Sequence, residues 1–233
     1  MIRLAFAVGL VAFPAPAIAQ AYRCALPADL PRPRPDGPSP SQPKRDIPIG
    51  SYTLAISWQP QLCRNAGRDD ALACGSGNRF GFTLHGLWPD GKGRDWPQYC
   101  RPAALLPEPV IRANLCMTPS VQLLQHEYAK HGTCMGMSPA RYFADASRLY
   151  ASMRYPDMDA LSRRPGLTVG QFAAAFARAN RGMTPRMIKV ATTKDGWLDE
   201  VRVCMDTRYR YRICPPRAGA ANGSRLKIWR GAR

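Results

Sequence analysis

Hydrophobic and polar residues alternate from Ser51 to Trp58, in a run rich in residues that favour extended backbone. This period of two predicts a β-strand with one buried face. Arg79 to Leu84 predicts a second strand, which leads directly into His85. Three later runs also predict strands: Ile188 to Ala191, Leu198 to Met205 and Tyr209 to Cys214. A short turn at Asp206-Thr207 is expected to join the last two.

Three other segments carry the signals of helices. Ser120 to Lys130 contains neither Gly nor Pro and is followed by Gly132, which we expect to end the helix. Ser138-Pro139 combines a cap with a proline in the first turn and predicts a second helix. Thr168 to Asn180 predicts a third. Because helices and strands mix without a βαβ repeat, the pattern indicates the α+β class.

The two ends of the chain differ in composition from its middle. Residues 1–19 are expected to form a secretory signal, because Arg3 precedes the apolar run Leu4 to Phe13 and Ala17-Ile18-Ala19 fits a cleavage site. The frequent prolines from 27 to 48 predict an extended linker or tail at 20–49. We expect a single globular domain at 50–217 and a basic tail at 218–233.

The eight cysteines agree with export, because exported chains in oxidising compartments commonly form disulfides. No CxxC pair is present, which argues against a zinc ribbon. Cys63 and Cys74 bracket a short polar loop and are a natural local pair, whereas Cys204 and Cys214 end the two strands of the expected hairpin. No stretch after the signal is apolar enough to span a bilayer, so we expect a secreted or periplasmic protein without membrane contact.

The chain carries a formal net charge of +17, and removal of the signal with its one charge, Arg3, leaves +16. Such an excess attracts polyanions and makes their binding sensitive to salt. No dense basic run occurs, however, so the charge supports a nucleic-acid partner without identifying one.

All three histidines lie in two short segments, FTLHGLWP around His85 and HEYAKHGTC from His126. At about 100° per helical residue, His126, Glu127, Lys130 and His131 fall within about 140° of one another on the predicted helix. A purely structural helix would not collect these groups on one face. Glu127 precedes His131 by four residues and can orient or tune its imidazole.

Two other hydrolase classes fit the sequence poorly. His126-Glu127 begins like the zinc motif HExxH, but the two histidines are five residues apart rather than four, and Lys130 is a poor neighbour for a dication. No GxSxG elbow is present, and the cysteines are expected in disulfides, which disfavours serine and cysteine hydrolases. We therefore expect neither a metal nor a cofactor.

Cleavage of an RNA phosphodiester needs a base for the 2′-hydroxyl proton, an acid for the departing 5′-oxygen, and cations beside the charged phosphorane. Histidine suits both proton transfers because its pKa lies near the working pH. Lys130 and His126 can offset the phosphoryl charge without a metal. The sequence does not indicate whether His85 or His131 is the base in the first step.

The two histidine segments resemble the two catalytic segments of the ribonuclease T2 family, which includes acid ribonucleases and self-incompatibility S-ribonucleases. The resemblance extends through Tyr52 to Gln59 and Leu198 to Asp206, and covers about Gly50 to Pro216. It implies a twisted antiparallel sheet flanked by helices in a disulfide-bonded single domain. It also implies transesterification to a 2′,3′-cyclic phosphate, which hydrolysis can follow.

Carried over by position, the resemblance implies that His85 and His131 transfer protons. It further implies that His126 binds phosphate and that Glu127 and Lys130 act on the transition state.

The same resemblance implies that a base stacks on Trp88 and that Asp90 can hydrogen-bond to this base. The alternative for Trp88 is a buried core residue. Gln59 is a further candidate for substrate binding, and Trp96 or Tyr99 could also line base sites.

The chain departs from the family pattern at Tyr128, which replaces a tryptophan, and at Ala129, which replaces an acidic residue. Neither change removes a proton-transfer group, so we expect them to affect rate or packing. The proline-rich segment that carries Cys24 has no counterpart in the pattern.

The resemblance implies a bridge between Cys100 and Cys134, which would tie the two histidine segments together. Elimination then leaves Cys24 and Cys116. A bridge between them would anchor the proline-rich segment, whereas a free Cys24 would leave it mobile.

We therefore expect a monomeric endoribonuclease that acts on single-stranded RNA and not on DNA, because the nucleophile is the 2′-hydroxyl. The alternative is a secreted basic protein of the same fold that binds RNA or another polyanion without catalysis. The intact His85, Glu127, Lys130 and His131 argue against that alternative.

Overall fold

The computed structural model describes residues 21–65, 71–75, 77–216 and 219–231. The signal sequence expected at 1–19 lies outside these ranges. Within them, no helix combines the length and the apolar character that crossing a membrane requires.

Four strands form the main antiparallel sheet: β2 (Ile49–Trp58), β4 (Phe82–Gly91), β5 (Ile188–Thr192) and β6 (Leu198–Met205). Their order is β4–β2–β6–β5, so the long strand β2 lies between β4 and β6. A separate short pair joins β1 (Ala21–Arg23) to β3 (Arg79–Phe80). The four predicted strands up to residue 205 are thus confirmed, with the second one divided between β3 and β4.

The described residues contain seven α-helices: α1 (Gln59–Leu62), α2 (Ala71–Cys74), α3 (Glu108–Asn114), α4 (Val121–Lys130), α5 (Pro139–Ser152), α6 (Met158–Arg163) and α7 (Val169–Ala179). The side chains of Ser120, Ser138 and Thr168 cap α4, α5 and α7 by accepting the backbone N–H three residues further on. The three predicted helices and the α+β class are confirmed.

One face of the sheet builds the hydrophobic core. Its buried side chains include Leu54, Ile56, Leu84, Leu87, Val201 and Val203. Helix α5 lies against β2 and β4, where the hydroxyls of Tyr142 and Tyr150 donate to the carbonyls of Leu87 and Phe82 at 3.1 and 2.6 Å. These bonds satisfy buried polar groups at the edge of the sheet. The opposite face is left for polar side chains.

Helix α4 ends at Lys130, as expected, but Gly132 does not provide the left-handed cap. His131 is its C-cap, a 3₁₀ turn follows at Gly132–Met135, and the left-handed residue is Gly136, with φ of 66°. Gly132 is required for a different reason, because a Cβ there would lie 2.5 Å from the ring of Tyr128.

The expected strand from Tyr209 to Cys214 is wrong. After β6 the carboxylate of Asp206 accepts the backbone N–H groups of Arg208 and Arg210 at 2.8 and 3.0 Å, and Tyr209 has a positive φ of 60°. This side-chain turn competes with a strand ladder. Only an isolated bridge between Met205 and Tyr211 is left of the hairpin.

The basic tail expected at 218–233 does not describe residues 219–231, which pack on the domain. Leu226 and Ile228 are only 4% and 6% exposed. The backbone of Leu226 donates to Leu167 at 2.8 Å, and Lys227 accepts from Leu198 at 2.7 Å. The apolar side chains and these bonds make this segment part of the core rather than an appendage.

Four disulfides join Cys24 to Cys116, Cys63 to Cys74, Cys100 to Cys134 and Cys204 to Cys214. These are the pairings named from the sequence. The bridge at Cys24 means that the proline-rich segment is anchored to the domain, so for its described residues the description as a free linker or tail is corrected.

Candidate active site

A β-bulge in β4 sets the direction of the candidate catalytic side chains. Leu84 pairs with Ile56 and Gly86 pairs with Ala55, which leaves His85 as an extra residue without a partner on β2. Without the bulge, the alternation of a strand would turn Gly86 toward the core. Because of the bulge, His85 lies on the same polar face of the sheet as Gly86, Trp88 and Asp90.

Two carboxylates hold the His85 ring. Its Nδ1 lies 2.6 Å from Glu200 Oε2, and its Nε2 lies 3.4 Å from Glu127 Oε1. Burial alone would lower the pKa of His85, but the hydrogen bond to Glu200 and the charges of Glu127 and Glu200 outweigh it, so the pKa is raised. The protonated form of His85 is therefore favoured.

Glu127 projects from α4 into this cluster and is only 2% exposed. Its Oε2 accepts a hydrogen bond from the indole nitrogen of Trp88 at 2.8 Å. Burial raises the pKa of Glu127, against the lowering effects of the charges on His85, His126 and Lys130 and of the bond to Trp88. A Cβ at Gly86 would overlap the Glu127 carboxylate, so this approach of α4 to β4 needs a glycine.

Glu200 and Arg202 are site residues that the sequence did not identify. Both lie on β6, and Arg202 Nε donates to Glu200 Oε1 at 2.6 Å. Burial raises the pKa of Glu200, but the bonds and charges of His85 and Arg202 outweigh it and lower the pKa. The available signal was weak, because a charged pair two apart on a strand is typical of any solvated sheet face.

His131 lies at the C-terminal end of α4 and is buried. Its ring stacks on Trp88, with centroids 5.6 Å apart and planes inclined by 28°. Among the described residues its Nδ1 is buried without a hydrogen-bond partner. Burial, followed by the charges of Lys130, His126 and His85, holds the pKa of His131 well below 6.5. The neutral imidazole is therefore favoured.

His126 and Lys130 lie on the same helix. His126 Nδ1 lies 3.1 Å from Asp36 Oδ2 and 3.5 Å from the hydroxyl of Tyr99. The charge of Lys130 lowers the pKa of both Glu127 and His131. His85, Glu127 and His131 thus meet around Trp88, and His126 and Lys130 lie on the same helix as Glu127.

Trp88 is half-buried and lies within this cluster rather than in the hydrophobic core. The edge of its ring meets His85 at a centroid distance of 5.0 Å, and the guanidinium of Arg202 lies 5.3 Å from its centroid. With His131 stacked on it as well, Trp88 orders the site. Its predicted contact with a base stays a prediction.

The other predicted substrate contacts divide between two places. Asp90 faces the same side as His85, accepts from the Thr53 hydroxyl at 2.8 Å, and has a pKa raised by burial. Gln59 is buried, accepts from Thr83 at 2.9 Å and packs beside the Cys63–Cys74 bridge. It lines a separate groove of about 970 Å³, which none of the histidines lines. The structure therefore does not bring Gln59 into the histidine cluster.

Trp96 lies under the guanidinium of Arg45, 5.3 Å from its ring centroid, whereas Tyr99 meets His126. Among the described residues, no group of three or more His, Cys, Asp or Glu side chains is arranged to hold a metal ion.

Comparisons with known proteins support the resemblance. The model of the Ribonuclease T2 family matches residues 49–214. A probable ribonuclease of Haemophilus influenzae is 34% identical over 125 residues, which cover 47% of this chain and 45% of that protein. Ribonuclease I of Escherichia coli is 30% identical over 172 residues, which cover 55% and 64%. The chain spans about half the length of the curated relatives it matches.

The same fold occurs in solved structures. Trichomaglin, described as a novel S-like ribonuclease, superposes with a TM-score of 0.61 at 18% sequence identity. The superposition covers 77% of this chain and 97% of trichomaglin. At this identity the likeness concerns the fold, and it agrees with the antiparallel sheet and flanking helices described above.

Proposed function

The chain belongs to the Ribonuclease T2 family, and from that premise we propose that it is an endoribonuclease that cleaves single-stranded RNA. The substrate's own 2′-hydroxyl is the nucleophile, and no metal or cofactor takes part. The observation that carries the proposal is the His85 ring held between Glu127 and Glu200 beside His131. Two imidazoles with opposite protonation preferences are what this reaction requires.

The two histidines have different roles in the first step. His131 is the general base, because burial and its cationic neighbours favour the neutral ring. His85 is the general acid, because Glu200 and Glu127 favour its protonated ring. Each histidine therefore starts the reaction in the form that its role requires.

The atoms balance as follows in the cleavage step. His131 takes the proton of the 2′-hydroxyl as the 2′-oxygen forms a bond to phosphorus. The bond from phosphorus to the 5′-oxygen breaks, and His85 gives its proton to that oxygen. The products are a 2′,3′-cyclic phosphate and a free 5′-hydroxyl. With the roles reversed, His85 can then take a proton from water as the water oxygen bonds to phosphorus. The bond from phosphorus to the 2′-oxygen breaks, and His131 returns its proton to that oxygen.

Lys130 and His126 stabilise the negative charge that develops on the phosphorane. Glu127 and Glu200 act on His85 and fix the orientation of its ring, as a carboxylate does in other histidine-based sites. Arg202 in turn orients Glu200. These contacts support a site in which charge and proton positions are set before substrate binds.

Bases flanking the cleaved bond are the second part of substrate recognition. Trp88 provides an aromatic surface and Asp90 a carboxyl group on the same face of the sheet. DNA lacks the nucleophile and is not a substrate. The protein acts as a monomer. Its export is supported by the signal pattern at 1–19 and by the four disulfides.

The test is cleavage of homopolymeric RNA and of the matching DNA, each with and without EDTA. We expect RNA cleavage that EDTA does not reduce, and no DNA cleavage. His85→Ala and His131→Ala should each lower turnover on the order of 10²-fold or more, as loss of a general acid or base does. These variants, purified identically, also control for a contaminating ribonuclease.

Three results would contradict the proposal. Equal cleavage of DNA would remove the 2′-hydroxyl mechanism, and loss of activity in EDTA restored by zinc would indicate a metallohydrolase. RNA binding by a folded protein without any cleavage would favour the non-catalytic alternative.

A further inference from the structure

The segment from Cys24 to Pro48, called the N-terminal strap below, crosses the face of the domain next to the histidine site. One end is fixed by the Cys24–Cys116 bridge and by Arg112, whose guanidinium donates to the carbonyls of Pro27, at 3.1 Å, and Ala28. Prolines restrict the backbone of the strap even before it folds, which lowers the entropic cost of ordering it.

The strap runs in register with α4. The backbone N–H of Arg34 donates to Gln122 Oε1 at 2.8 Å, and Gln122 Nε2 donates to the Arg34 carbonyl at 3.3 Å. Asp36 follows two residues later, about 6 Å along an extended proline-rich chain. His126 follows Gln122 by one helical turn, also about 6 Å. The two hydrogen bonds between Arg34 and Gln122 therefore place Asp36 beside His126.

A second set of hydrogen bonds holds the strap on the C-terminal side of Asp36. Arg45 and Gln98 exchange two backbone hydrogen bonds of 2.9 Å, and Gln98 Nε2 donates to the Pro43 carbonyl at 2.7 Å. The Tyr99 hydroxyl reaches Gln42 Oε1 at 3.4 Å. Because the strap is held on both sides, the position of Asp36 is fixed by the fold and not by its side chain alone.

At the centre of the strap, Asp36 Oδ2 lies 3.1 Å from His126 Nδ1, with the two side chains 18% and 27% exposed. Asp36 Oδ1 is buried without a hydrogen-bond partner among the described residues. The Tyr99 hydroxyl lies 3.5 Å from the same nitrogen, His126 Nδ1. Burial, followed by the nearby carboxylates of Asp36 and Glu127, raises the pKa of Tyr99 and keeps it a neutral donor.

We propose that Asp36 is a positioning residue, through which the N-terminal strap prepares His126 to bind the substrate phosphate. Its carboxylate accepts the Nδ1 proton and fixes the ring, so that the doubly protonated imidazole directs its Nε2–H at a phosphate oxygen. This inference rests on the proposed ribonuclease function and on the phosphate-binding role of His126. The opposite arrangement, in which the carboxylate occupies the anion site and competes with substrate, makes the reverse prediction.

The test compares Asp36→Asn with Asp46→Asn, which removes the same charge from an exposed position on the strap. For Asp36→Asn we expect KM for RNA and the inhibition constant of inorganic phosphate to rise together. The rise should be about tenfold, the lower end for a lost hydrogen bond to a charged group. Turnover should change less than KM. Asp46→Asn should match the wild type, and Asp36→Glu should recover part of the affinity.

Two further measurements separate positioning from a structural role. In a His126→Asn background, Asp36→Asn should have no further effect on KM, because the two residues act through one contact. Nitrogen-15 NMR should show His126 with a protonated Nδ1 in the wild type, and Asp36→Asn should change this signature. The chain has only three histidines, so single variants assign their signals.

Lower KM and tighter phosphate inhibition in Asp36→Asn would overturn the proposal in favour of an autoinhibitory carboxylate. Unchanged constants in a folded variant, or an equal loss in the His126→Asn background, would also overturn it. A wild-type protein that does not cleave RNA would instead refute the ribonuclease function, and the NMR comparison would still test the Asp36–His126 contact.

Discussion

The three histidines occupy three different electrostatic settings although they lie within one cluster. His85 is held by two carboxylates, His126 faces one, and the buried Nδ1 of His131 has no partner in the described part of the chain. These settings, rather than the histidines themselves, assign the acid and the base. Activity requires a protonated His85 and a neutral His131 at the same time, which predicts a bell-shaped dependence of kcat/KM on pH.

At this scale we predict the effect of Glu200→Gln. The neutral amide no longer supports the raised pKa of His85, so the alkaline limb, where this acid loses its proton, should move to lower pH. A misplaced ring should also lower kcat roughly tenfold to hundredfold, the cost of displacing a catalytic group by about 1 Å. Asp195→Asn is the control, since it removes a carboxylate from an exposed position that does not contribute to the pKa shift of His85. A shift of the acid limb instead would indicate that His85 is the general base and His131 the general acid.

At the scale of elements, the bulge in β4 and the adjacent helix α4 explain why the site needs Gly86. A side chain there would overlap the Glu127 carboxylate and approach the Trp88 indole. The sequence predicted the strand as far as Leu84, and it predicted the helix from the absence of Gly and Pro between Ser120 and Lys130. It could not predict the bulge, since the extra residue is defined only by pairing with β2. Glu200 was missed for a similar reason, because its partner His85 is distant in sequence.

Gly86→Ala should therefore displace Glu127 and cost about 1–3 kcal/mol of unfolding free energy, as overpacking does. Its turnover should fall by more than this loss of stability explains, measured at a temperature where the variant is fully folded. Gly93→Ala is the matched control, because a Cβ at Gly93 meets nothing within 4 Å. Wild-type turnover in Gly86→Ala would contradict the close packing of α4 on β4.

The Cys100–Cys134 bridge connects the loop after β4 to the turn after α4. Replacing both residues by Ser should cost roughly 3–4 kcal/mol in denaturant unfolding, by the chain-entropy relation for a loop of this length. Activity should fall at denaturant concentrations where the Cys63→Ser/Cys74→Ser control is still active, because that bridge closes a short loop away from the histidines. Loss of activity in the reverse order would contradict the tether between the two segments.

For the whole molecule, the ends of the chain were the hardest part to predict. Proline content suggested a free linker at 20–49, but its hydrogen-bond partners, among them Gln98 and Gln122, lie on distant segments. Arginine-rich composition suggested a tail after 217. Leu226 and Ile228 alternate with Lys227, but this run is too short to predict a strand or their burial. Both segments are held by tertiary contacts that leave no local pattern.

The formal net charge of +17 is a property of the whole molecule. It predicts that kcat/KM for a long RNA falls with salt, by about 0.7 in the logarithmic slope for each phosphate contact on a single strand. A dinucleoside monophosphate, with one phosphate, should show a slope no steeper than about 0.7. Equal slopes for the two substrates would mean that the basic surface outside the site does not bind RNA.

The role of the substrate's 2′-hydroxyl as the nucleophile can be tested with a substrate that contains only one such group. A DNA oligonucleotide with a single internal ribonucleotide is incubated with the protein in EDTA, and the product ends are identified by mass spectrometry. We predict a single cut on the 3′ side of the ribonucleotide. One product should end in a 2′,3′-cyclic phosphate or in the phosphate monoester formed by its hydrolysis, and the other should carry a 5′-hydroxyl. Cuts at deoxyribonucleotides, or a 5′-phosphate at the cut, would contradict this prediction.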